Sequence, residues 1–280
     1  MRNRVLIFGG SGWLANEFAG YFTEDVAIVT HANILDIDAV RSAVKLVRPD
    51  VVINAAGKTG RPNIDWCEAT EENRRLTQYV NDFGVAILRE VVCPYAKLVH
   101  LSSGCLWEEA TEVTEETEPE PPSWYSETKA DGDARLEGTD ALVLRLRMPF
   151  DGSGNPRCLL TKLSKYDDII SYPNSLTFVA DLLDATKYLV ENGASGIFNV
   201  VNTGAVSAEF IMREYCRLVD PHHTYSVVPV EDLLADGKMT AKRSNCVLSN
   251  QKLFNAGFWM EDATIRVIQA LKRLGGKGEA

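Results

Sequence analysis

Five short apolar runs are spaced along the first half of the chain, at 4–8, 26–30, 51–54, 97–101 and 142–147. Each run is hydrophobic at successive positions rather than at every second one, a pattern typical of strands buried on both faces of a parallel sheet. The segments between them are predicted as helices at 13–22, 38–47, 71–90 and 125–136. This alternation of strand and helix predicts an α/β fold with a doubly wound parallel sheet and right-handed crossovers.

The second half of the chain is less regular. Glycine and proline interrupt it at Pro149, Gly152, Gly154 and Pro156. Further helices are predicted at 157–166, 178–191 and 208–218, with a strand at 197–201. We predict a dinucleotide-binding Rossmann domain over 1–150 and a smaller substrate-binding region over 151–280, interleaved with the sheet. The acidic segment 105–122, with seven glutamates, is interpreted as a solvated loop or, alternatively, as a flap over the site.

Composition narrows the functional classes. The 280 residues are 45% hydrophobic, enough to bury a sizeable core, and the net charge of −10 argues against nucleic-acid or anionic-membrane partners. No apolar stretch approaches the roughly 18 residues that a membrane span requires, and the N-terminal apolar run is too short for a secretion signal. The six cysteines form no Cys-x-x-Cys pair, which favours reduced thiols in a cytoplasmic protein. No metal site is predicted, since His222 and His223 are adjacent and lack cysteine neighbours.

The first apolar run leads directly into a glycine-rich turn. Glycine at positions 9 and 12 allows a tight turn and lets a pyrophosphate approach backbone N–H groups at a helix N-terminus. Ala15 takes the third position of this fingerprint and is small enough for helix–strand contact. We predict cofactor contacts from Gly9, Ser11, Gly12, Trp13 and Leu14.

The choice of cofactor depends on the end of the second strand. The run Val29-Thr30-His31-Ala32-Asn33 lacks the acid that usually grips the ribose hydroxyls of NAD. NADP(H) is therefore preferred, but no arginine stands there to bind a 2′-phosphate, so NAD(H) remains open. Asp36 is predicted either to touch the adenine edge or to cap the next helix.

Tyr125 and Lys129 lie one helical turn apart, about twenty residues after Ser103 at the end of an apolar strand. A tyrosine hydroxyl can move a proton to or from a carbonyl oxygen, and a neighbouring lysine can lower its pKa and hold the nicotinamide ribose. Ser103 is predicted to hydrogen-bond the substrate carbonyl. Asn81, midway along a predicted helix, is predicted to support this site through backbone or water contacts.

The glycine loop, the strand-end serine, Asn-x-x-Gly and Tyr-x-x-x-Lys occur in an order that resembles the extended short-chain dehydrogenase/reductase family. Residues 54–68, NAAGKTGRPNIDWCE, are similar to the dTDP-4-dehydrorhamnose reductase branch. They look most like its plant and viral UDP-4-keto-6-deoxyglucose 3,5-epimerase/4-reductases. Further similar segments are 145–149, 155–157, 161–166, 173–175 and 243–245.

The resemblance implies roles for further residues. Cys105 and Lys162 match the pair that moves protons at C3 and C5 of the sugar in the epimerase/reductases; each could instead be a buried thiol or a surface lysine. Guanidinium groups suit phosphate oxygens. The candidates for the diphosphate are Arg61, Arg147, Arg157 and Arg243, and Arg243 is the first choice. Cofactor contacts are implied for Ala55, Ala56, Gly57 and Met148. Substrate contacts are implied for Arg61, Asn63, Cys105, Arg147, Asn155, Lys162, Asn174, Ser175 and Arg243.

The implied function is NADPH-dependent reduction of an NDP-4-keto-6-deoxyhexose, with UDP preferred over dTDP and with 3,5-epimerisation, giving NDP-L-rhamnose or a related sugar. A pure 4-reductase is the first alternative. A non-catalytic regulatory subunit or cofactor sensor of the same fold is the second. The resemblance also implies a possible homodimer through helices 71–90 and 125–136.

Overall fold

A computed structural model describes residues 3–22 and 26–276. Six parallel strands form a central sheet in the order β10-β6-β4-β3-β1-β2. Three two-stranded sheets, β5 with β12, β7 with β9 and β8 with β11, accompany it. The strands are β1 Arg4–Phe8, β2 Val26–Thr30, β3 Val51–Asn54, β4 Lys97–Ser103, β5 Glu109–Val113, β6 Leu142–Leu146, β7 Pro149–Phe150, β8 Asp168–Ile169, β9 Thr177–Phe178, β10 Gly196–Asn199, β11 Ser226–Val227 and β12 Asn245–Leu248.

Helices cover both faces of the central sheet. A 3₁₀ turn, Ile64–Glu68, precedes α3, and a π turn, Tyr79–Phe83, joins α3 to α4. The α-helices are α1 Trp13–Tyr21, α2 Ile37–Val47, α3 Glu71–Gln78, α4 Gly84–Val92, α5 Trp124–Ala134, α6 Leu159–Leu163, α7 Val179–Glu191, α8 Ala208–Leu218, α9 Val230–Ala235, α10 Gln251–Asn255 and α11 Ala263–Leu274.

The five apolar runs are confirmed as sheet strands. β1, β2 and β3 have the predicted bounds, β4 is two residues longer, and β6 ends one residue earlier. Every residue of β3 and β6 is buried, because helices pack on both faces and separate hydrophobic clusters form on either side. The predicted doubly wound parallel sheet is therefore correct.

The parallel register brings the strand ends together at one edge of the sheet. Phe8 at the end of β1 is paired with Asn54 at the end of β3, and Asn54 is paired with His100 of β4. Since β4 continues to Ser103, the glycine loop after β1 and the predicted proton-transfer residues lie at the same carboxyl edge. Ligands of open α/β sheets bind at this edge.

The acidic segment departs from the solvated-loop interpretation. β5 lies within it and pairs with β12 from the second half of the chain. Leu106, Trp107 and Val113 are buried in a cluster with residues of β12. The high glutamate content favoured a solvated loop, but the apolar residues between the glutamates are buried because they pack against a strand that is distant in sequence. The second half also supplies β10 to the central sheet, so its elements are interleaved with those of the first.

Candidate active site

The turn after β1 has the backbone geometry that requires glycine. Gly9 has φ +94°, and a Cβ there would lie 2.7 Å from the carbonyl carbon of Ala55. The Gly12 N–H donates to the Gly9 oxygen at 2.7 Å, which closes the turn. A side chain at position 9 would therefore be strained and would also collide with the segment following β3.

The glycine turn ends at the N-terminus of α1, where Gly12 is the N-cap and provides no side-chain hydrogen bond to the first turn. The Asn16 amide donates to the carbonyl oxygens of Gly10 and Gly12 at 3.2 and 2.7 Å. These contacts engage the loop carbonyls and leave helix-end amides suited to an anion. The residues present therefore fit the pyrophosphate of a dinucleotide. Asn16 was not identified from the sequence, although an amide in the first turn after a glycine loop is a recognisable signal.

Two predicted cofactor residues have structural roles as well. Trp13 is 8% exposed and belongs to the core cluster, and its contact with the cofactor stays a prediction. Asp36 caps α2, because its Oδ1 accepts from the N–H groups of Asp38 and Ala39 at 3.1 and 3.0 Å. The capping alternative is confirmed, and an adenine contact for Asp36 stays a prediction.

Ser103, Cys105 and Tyr125 converge at the end of β4. The Ser103 Oγ accepts from the Cys105 N–H at 3.1 Å, and Ser103 lies next to the Tyr125 side chain. Burial raises the pKa of Tyr125, the nearby Cys105 raises it further, and the neighbouring Ser103 lowers it. The expected depression of the Tyr125 pKa by Lys129 is therefore wrong, because burial dominates. Tyr125 is a protonated hydroxyl at neutral pH.

Lys129 is buried one turn further along α5. Its Nζ lies 3.0 Å from the backbone oxygen of Leu101 and 3.3 Å from Nε2 of His100. Burial lowers the pKa of Lys129 to about 8, and the charge of Asp133 acts in the opposite direction. The prediction singled out Lys129 but missed His100, which looks like an ordinary strand residue in the sequence.

Asn81 lies in the π turn between α3 and α4, and its side chain hydrogen-bonds both Lys58 and Thr128. Its Oδ1 accepts from the Lys58 N–H at 2.8 Å, and its Nδ2 donates to the Lys58 oxygen and to Thr128 Oγ1 at 3.0 and 3.1 Å. Thr128 lies on α5 between Tyr125 and Lys129, and its hydroxyl donates to the Tyr125 oxygen at 3.0 Å. The predicted supporting role of Asn81 is confirmed: it joins the loop after β3 to the helix that carries the proton-transfer pair.

The amino end of α6 and the loop after β3 contribute a group of positive charges. Burial and then the nearby charge of Arg61 lower the pKa of Arg157. Burial and then Arg157 lower the pKa of Lys162. Across the described residues, 3–22 and 26–276, none of these three cations forms an ion pair with an acid. Three clustered cations in a chain of net charge −10 indicate an anion site.

Arg147 does not have the geometry of a phosphate ligand. It is fully buried, and its Nη1 donates to Gly104 oxygen at 3.2 Å and lies 3.0 Å from Cys105 Sγ. Its Nη2 donates to Asn174 Oδ1 and to the Ser244 oxygen. The prediction of a direct diphosphate contact is therefore corrected: Arg147 holds the loop that carries Cys105. The sequence does not reveal that Arg147 is buried, because the residues that bind its guanidinium are distant along the chain.

The side chains of several other predicted substrate residues are engaged within the protein. Asn174 also accepts from the Cys246 N–H at 2.9 Å, and Ser175, fully buried, accepts from the Leu248 N–H at 2.9 Å. Both side chains therefore accept hydrogen bonds from the backbone of β12. Asn63 caps the 3₁₀ turn through the Asp65 N–H, and Asn155 accepts from the Arg157 N–H.

Arg243, the first choice for the diphosphate, forms a two-point ion pair with Asp65. Both bonds measure 2.8 Å, and the Asp65 carboxylate also accepts from the Ala241 N–H at 2.7 Å. Although burial acts to raise it, the pKa of Asp65 is lowered overall, mainly by the hydrogen bond from Arg243. The pair joins the segment before β12 to the 3₁₀ turn, and a phosphate contact of Arg243 stays a prediction.

A buried ion pair behind the site was also missed. Arg145 Nε donates to Asp133 Oδ2 at 3.0 Å, with side chains 3% and 4% exposed. Asp133 extends the row of α5 residues that includes Tyr125 and Lys129 at four-residue spacing, which is the signal that could have identified it. Over the described part of the chain, no cluster of His, Cys, Asp and Glu suits a metal ion, and no helix has the length and apolarity needed to cross a membrane.

Comparison with known proteins places these features in a family. The family model of the RmlD substrate binding domain matches residues 3–271. A bifunctional dTDP-4-dehydrorhamnose 3,5-epimerase/dTDP-4-dehydrorhamnose reductase of Arabidopsis thaliana is 30% identical over 262 residues, covering 89% of this chain and 85% of the relative. A trifunctional UDP-glucose 4,6-dehydratase/UDP-4-keto-6-deoxy-D-glucose 3,5-epimerase/UDP-4-keto-L-rhamnose-reductase of the same plant is 31% identical over 265 residues. That match covers 89% of this chain but only 39% of the longer relative.

Solved structures show the same similarity. The UDP-rhamnose synthase of Acanthamoeba polyphaga mimivirus superposes with a TM-score of 0.89 at 26% identity, covering 98% of this chain and all of that one. The dTDP-4-dehydrorhamnose reductase of Bacillus anthracis, solved in complex with NADP, has the same fold, with a TM-score of 0.80 at 21% identity over 98% of this chain and 99% of that one. The resemblance inferred from the motifs is confirmed, and the chain belongs to the RmlD substrate binding domain family.

Proposed function

We propose that this protein reduces an NDP-4-keto-6-deoxyhexose with NADPH and also epimerises it at C3 and C5, giving an NDP-L-rhamnose-type sugar. The observation that carries the proposal is the convergence of Ser103, Cys105 and Tyr125 at the edge of the sheet that also carries the glycine turn. Two proton-transfer groups and a hydroxyl donor around one position suit a reaction in which a ketone is first enolised and then reduced.

The cofactor site is assigned to the glycine turn and its neighbours. Gly9, Ser11, Gly12 and Leu14 would hold the pyrophosphate through the end of α1, and Lys129 would hold the ribose. Ala55, Ala56, Gly57 and Met148 are proposed to line the rest of the site. The bound dinucleotide would supply the hydride. NADPH is preferred to NADH because the end of β2 lacks the acid that usually binds the ribose hydroxyls of NAD.

Tyr125 is the proposed proton donor in the reduction. Its raised pKa keeps the hydroxyl protonated at neutral pH, so it can give its proton to the oxygen at C4 as that oxygen gains negative charge. Ser103, which lies next to Tyr125, would donate to the same oxygen and stabilise the developing charge.

Cys105 and Lys162 are the proposed acid–base pair for epimerisation. The hydrogens at C3 and C5 are both α to the C4 carbonyl, so a base can remove either as a proton and leave an enolate whose oxygen Ser103 and Tyr125 stabilise. Return of a proton to the opposite face inverts the centre. Burial lowers the pKa of Lys162, which raises the fraction of amine able to accept a proton near neutral pH.

The nucleotide diphosphate is assigned to Arg61 and Arg157, the two arginines of the cation group. Guanidinium groups suit phosphate oxygens. UDP is preferred to dTDP because a trifunctional plant relative and the mimivirus structure carry names that specify UDP sugars. Uracil and thymine differ by one methyl group, worth only about 1–3 kcal/mol in a pocket, so acceptance of both is expected.

The test is incubation of the purified protein with UDP-4-keto-6-deoxyglucose and NADPH in deuterated water. Consumption of NADPH together with deuterium at C3 and C5 supports both steps. If reduction occurs only after a separate epimerase is added, the protein is a pure 4-reductase and the epimerase part fails. Binding of NADPH without turnover of any nucleotide sugar would reject the enzymatic proposal.

Cys105→Ser separates the two steps. The variant should lose deuterium incorporation and turnover of the un-epimerised sugar, while reduction of the pre-epimerised sugar stays near the wild-type rate. Cys93→Ser is the matched control, because Cys93 is also a half-buried free thiol but lies at the end of α4. Equal losses in both variants would show that the effect is not specific to Cys105.

A further inference from the structure

The hydrogen bonds around Asn54 determine which way its amide faces. Its Oδ1 accepts from the Ala56 N–H at 3.1 Å, so its Nδ2 is the atom that lies 2.9 Å from Nδ1 of His100. The NH2 group of an asparagine side chain can donate hydrogen bonds but not accept them, so Nδ1 of His100 must be the acceptor in this bond. Both side chains are buried, with exposed fractions of 0% and 1%, so water does not compete for these contacts.

This arrangement specifies the tautomer of His100. Burial, the largest cause, lowers the pKa of His100 well below its ordinary value, so the ring is neutral. A neutral imidazole whose Nδ1 is an acceptor carries its hydrogen on Nε2. That N–H faces Lys129 Nζ at 3.3 Å. An ammonium has no lone pair and cannot accept it, whereas an amine can accept it and still donate to the Leu101 oxygen at 3.0 Å.

We propose that Asn54 and His100 form a positioning pair that turns an N–H toward Lys129 and stabilises its amine form over the ammonium. Lys129 then takes up and releases a proton near neutral pH, rather than remaining a permanent cation. Asn54 and His100 are both buried, so both act through Lys129.

The other charged groups around Lys129 set the balance. Asp133 lies one turn further along α5 and favours the ammonium, but its carboxylate is also bound by Arg145 of β6 at 3.0 Å. Tyr125, one turn earlier on α5, is neutral because burial raises its pKa. Asp133 is therefore partly neutralised by Arg145, and the contact with His100 on the β4 side disfavours the charged form.

The consequence for catalysis rests on the proposed function. After Tyr125 has given its proton to the product, the phenolate must be reprotonated before the next turnover. A lysine one helical turn away that exchanges between amine and ammonium can pass a proton toward Tyr125, which a permanently protonated group cannot do.

The first test is nitrogen NMR of the protein itself, with no substrate or cofactor added. Histidine labelled with ¹⁵N should show His100 with its hydrogen on Nε2 and a bare Nδ1, and lysine labelling should show that Lys129 titrates at least about one pH unit below an ordinary lysine. His31→Gln, which removes an exposed histidine, helps to assign the spectrum. A hydrogen on Nδ1, or an ordinary Lys129 titration, would overturn the proposal.

Asn54→Asp tests the control exerted by the amide. One carboxylate oxygen can still accept from Ala56, while the other requires a hydrogen on Nδ1 of His100. We expect the tautomer to switch, the Lys129 midpoint to rise by at least about one unit, and the pH profile of kcat to move in the same direction. Asn33→Asp is the matched control, because it adds the same charge at an exposed turn where its oxygen accepts from Leu35.

The outcomes separate this inference from the proposed function. An unchanged tautomer in Asn54→Asp would refute the role of the amide, and if that variant does not fold, the wild-type spectrum still decides. If the tautomer and the Lys129 titration are as described but no nucleotide sugar is turned over, the positioning pair stands and the assigned reaction fails.

Discussion

The crossing of α5 over the π turn allows a direct test of how packing supports the site. A Cβ at Gly132 would lie 2.3 Å from the backbone oxygen of Asn81, whereas ordinary contact begins at 3.4 Å. That oxygen belongs to the backbone and cannot rotate aside, so Gly132→Ala must move the two segments apart by about 1 Å. This movement would strain the hydrogen bond from Asn81 to Thr128, and Tyr125 and Lys129 would move with α5.

The magnitude combines two opposing effects. Overpacking of this kind costs about 1–3 kcal/mol, and alanine in place of glycine within a helix gains up to about 1 kcal/mol. We expect the free energy of unfolding to fall by about 1–2 kcal/mol. Because a displacement of 1 Å in a reacting geometry can cost about 100-fold, kcat/KM should fall by roughly 10- to 100-fold.

Urea denaturation and steady-state kinetics measure the two effects. Gly20→Ala is the control: Gly20 lies in α1, and a Cβ added there would meet no atom within 4 Å, so stability should rise by up to about 1 kcal/mol and kinetics should not change. Wild-type stability and kinetics in Gly132→Ala would refute the inference that this close approach positions α5.

Three further changes test other parts of the site. Gly9→Ala, with φ +94° and no room for a Cβ, should raise the Kd for NADPH at least about tenfold in fluorescence titrations; unchanged binding would reject the loop assignment. Asp133→Asn leaves Arg145 buried without its partner and should cost about 3–5 kcal/mol in urea, whereas Glu90→Gln at an exposed ion pair should cost less than about 1 kcal/mol; equal losses would contradict the burial argument. Because the Lys129 pKa of about 8 lies below its ordinary 10.5, the unfolded state binds the extra proton between these values, and stability should rise with pH there; Lys129→Met should lack this gain, and identical pH dependence in both proteins would contradict the lowered pKa.

Local sequence determined the elements that carry the site. Continuous apolar runs specify strands buried on both faces, and the two glycines specify a turn that other residues could not form without strain. Ser103, Tyr125 and Lys129 were identified because a strand end and a four-residue helical spacing are short-range patterns. The order of elements along the chain was enough to predict the parallel sheet and its ligand-binding edge.

Only the tertiary structure decided which polar side chains remain available to a ligand. Arg147 and Asn174 looked like substrate residues, yet they bind each other and the Cys105 loop in the interior. Conversely, His100 looked like an ordinary strand residue but contacts Lys129 and is held by a partner on β3. The physical reason is that burial and hydrogen-bond partnership are set by residues far apart in the chain, whereas secondary structure is set largely by residues close together.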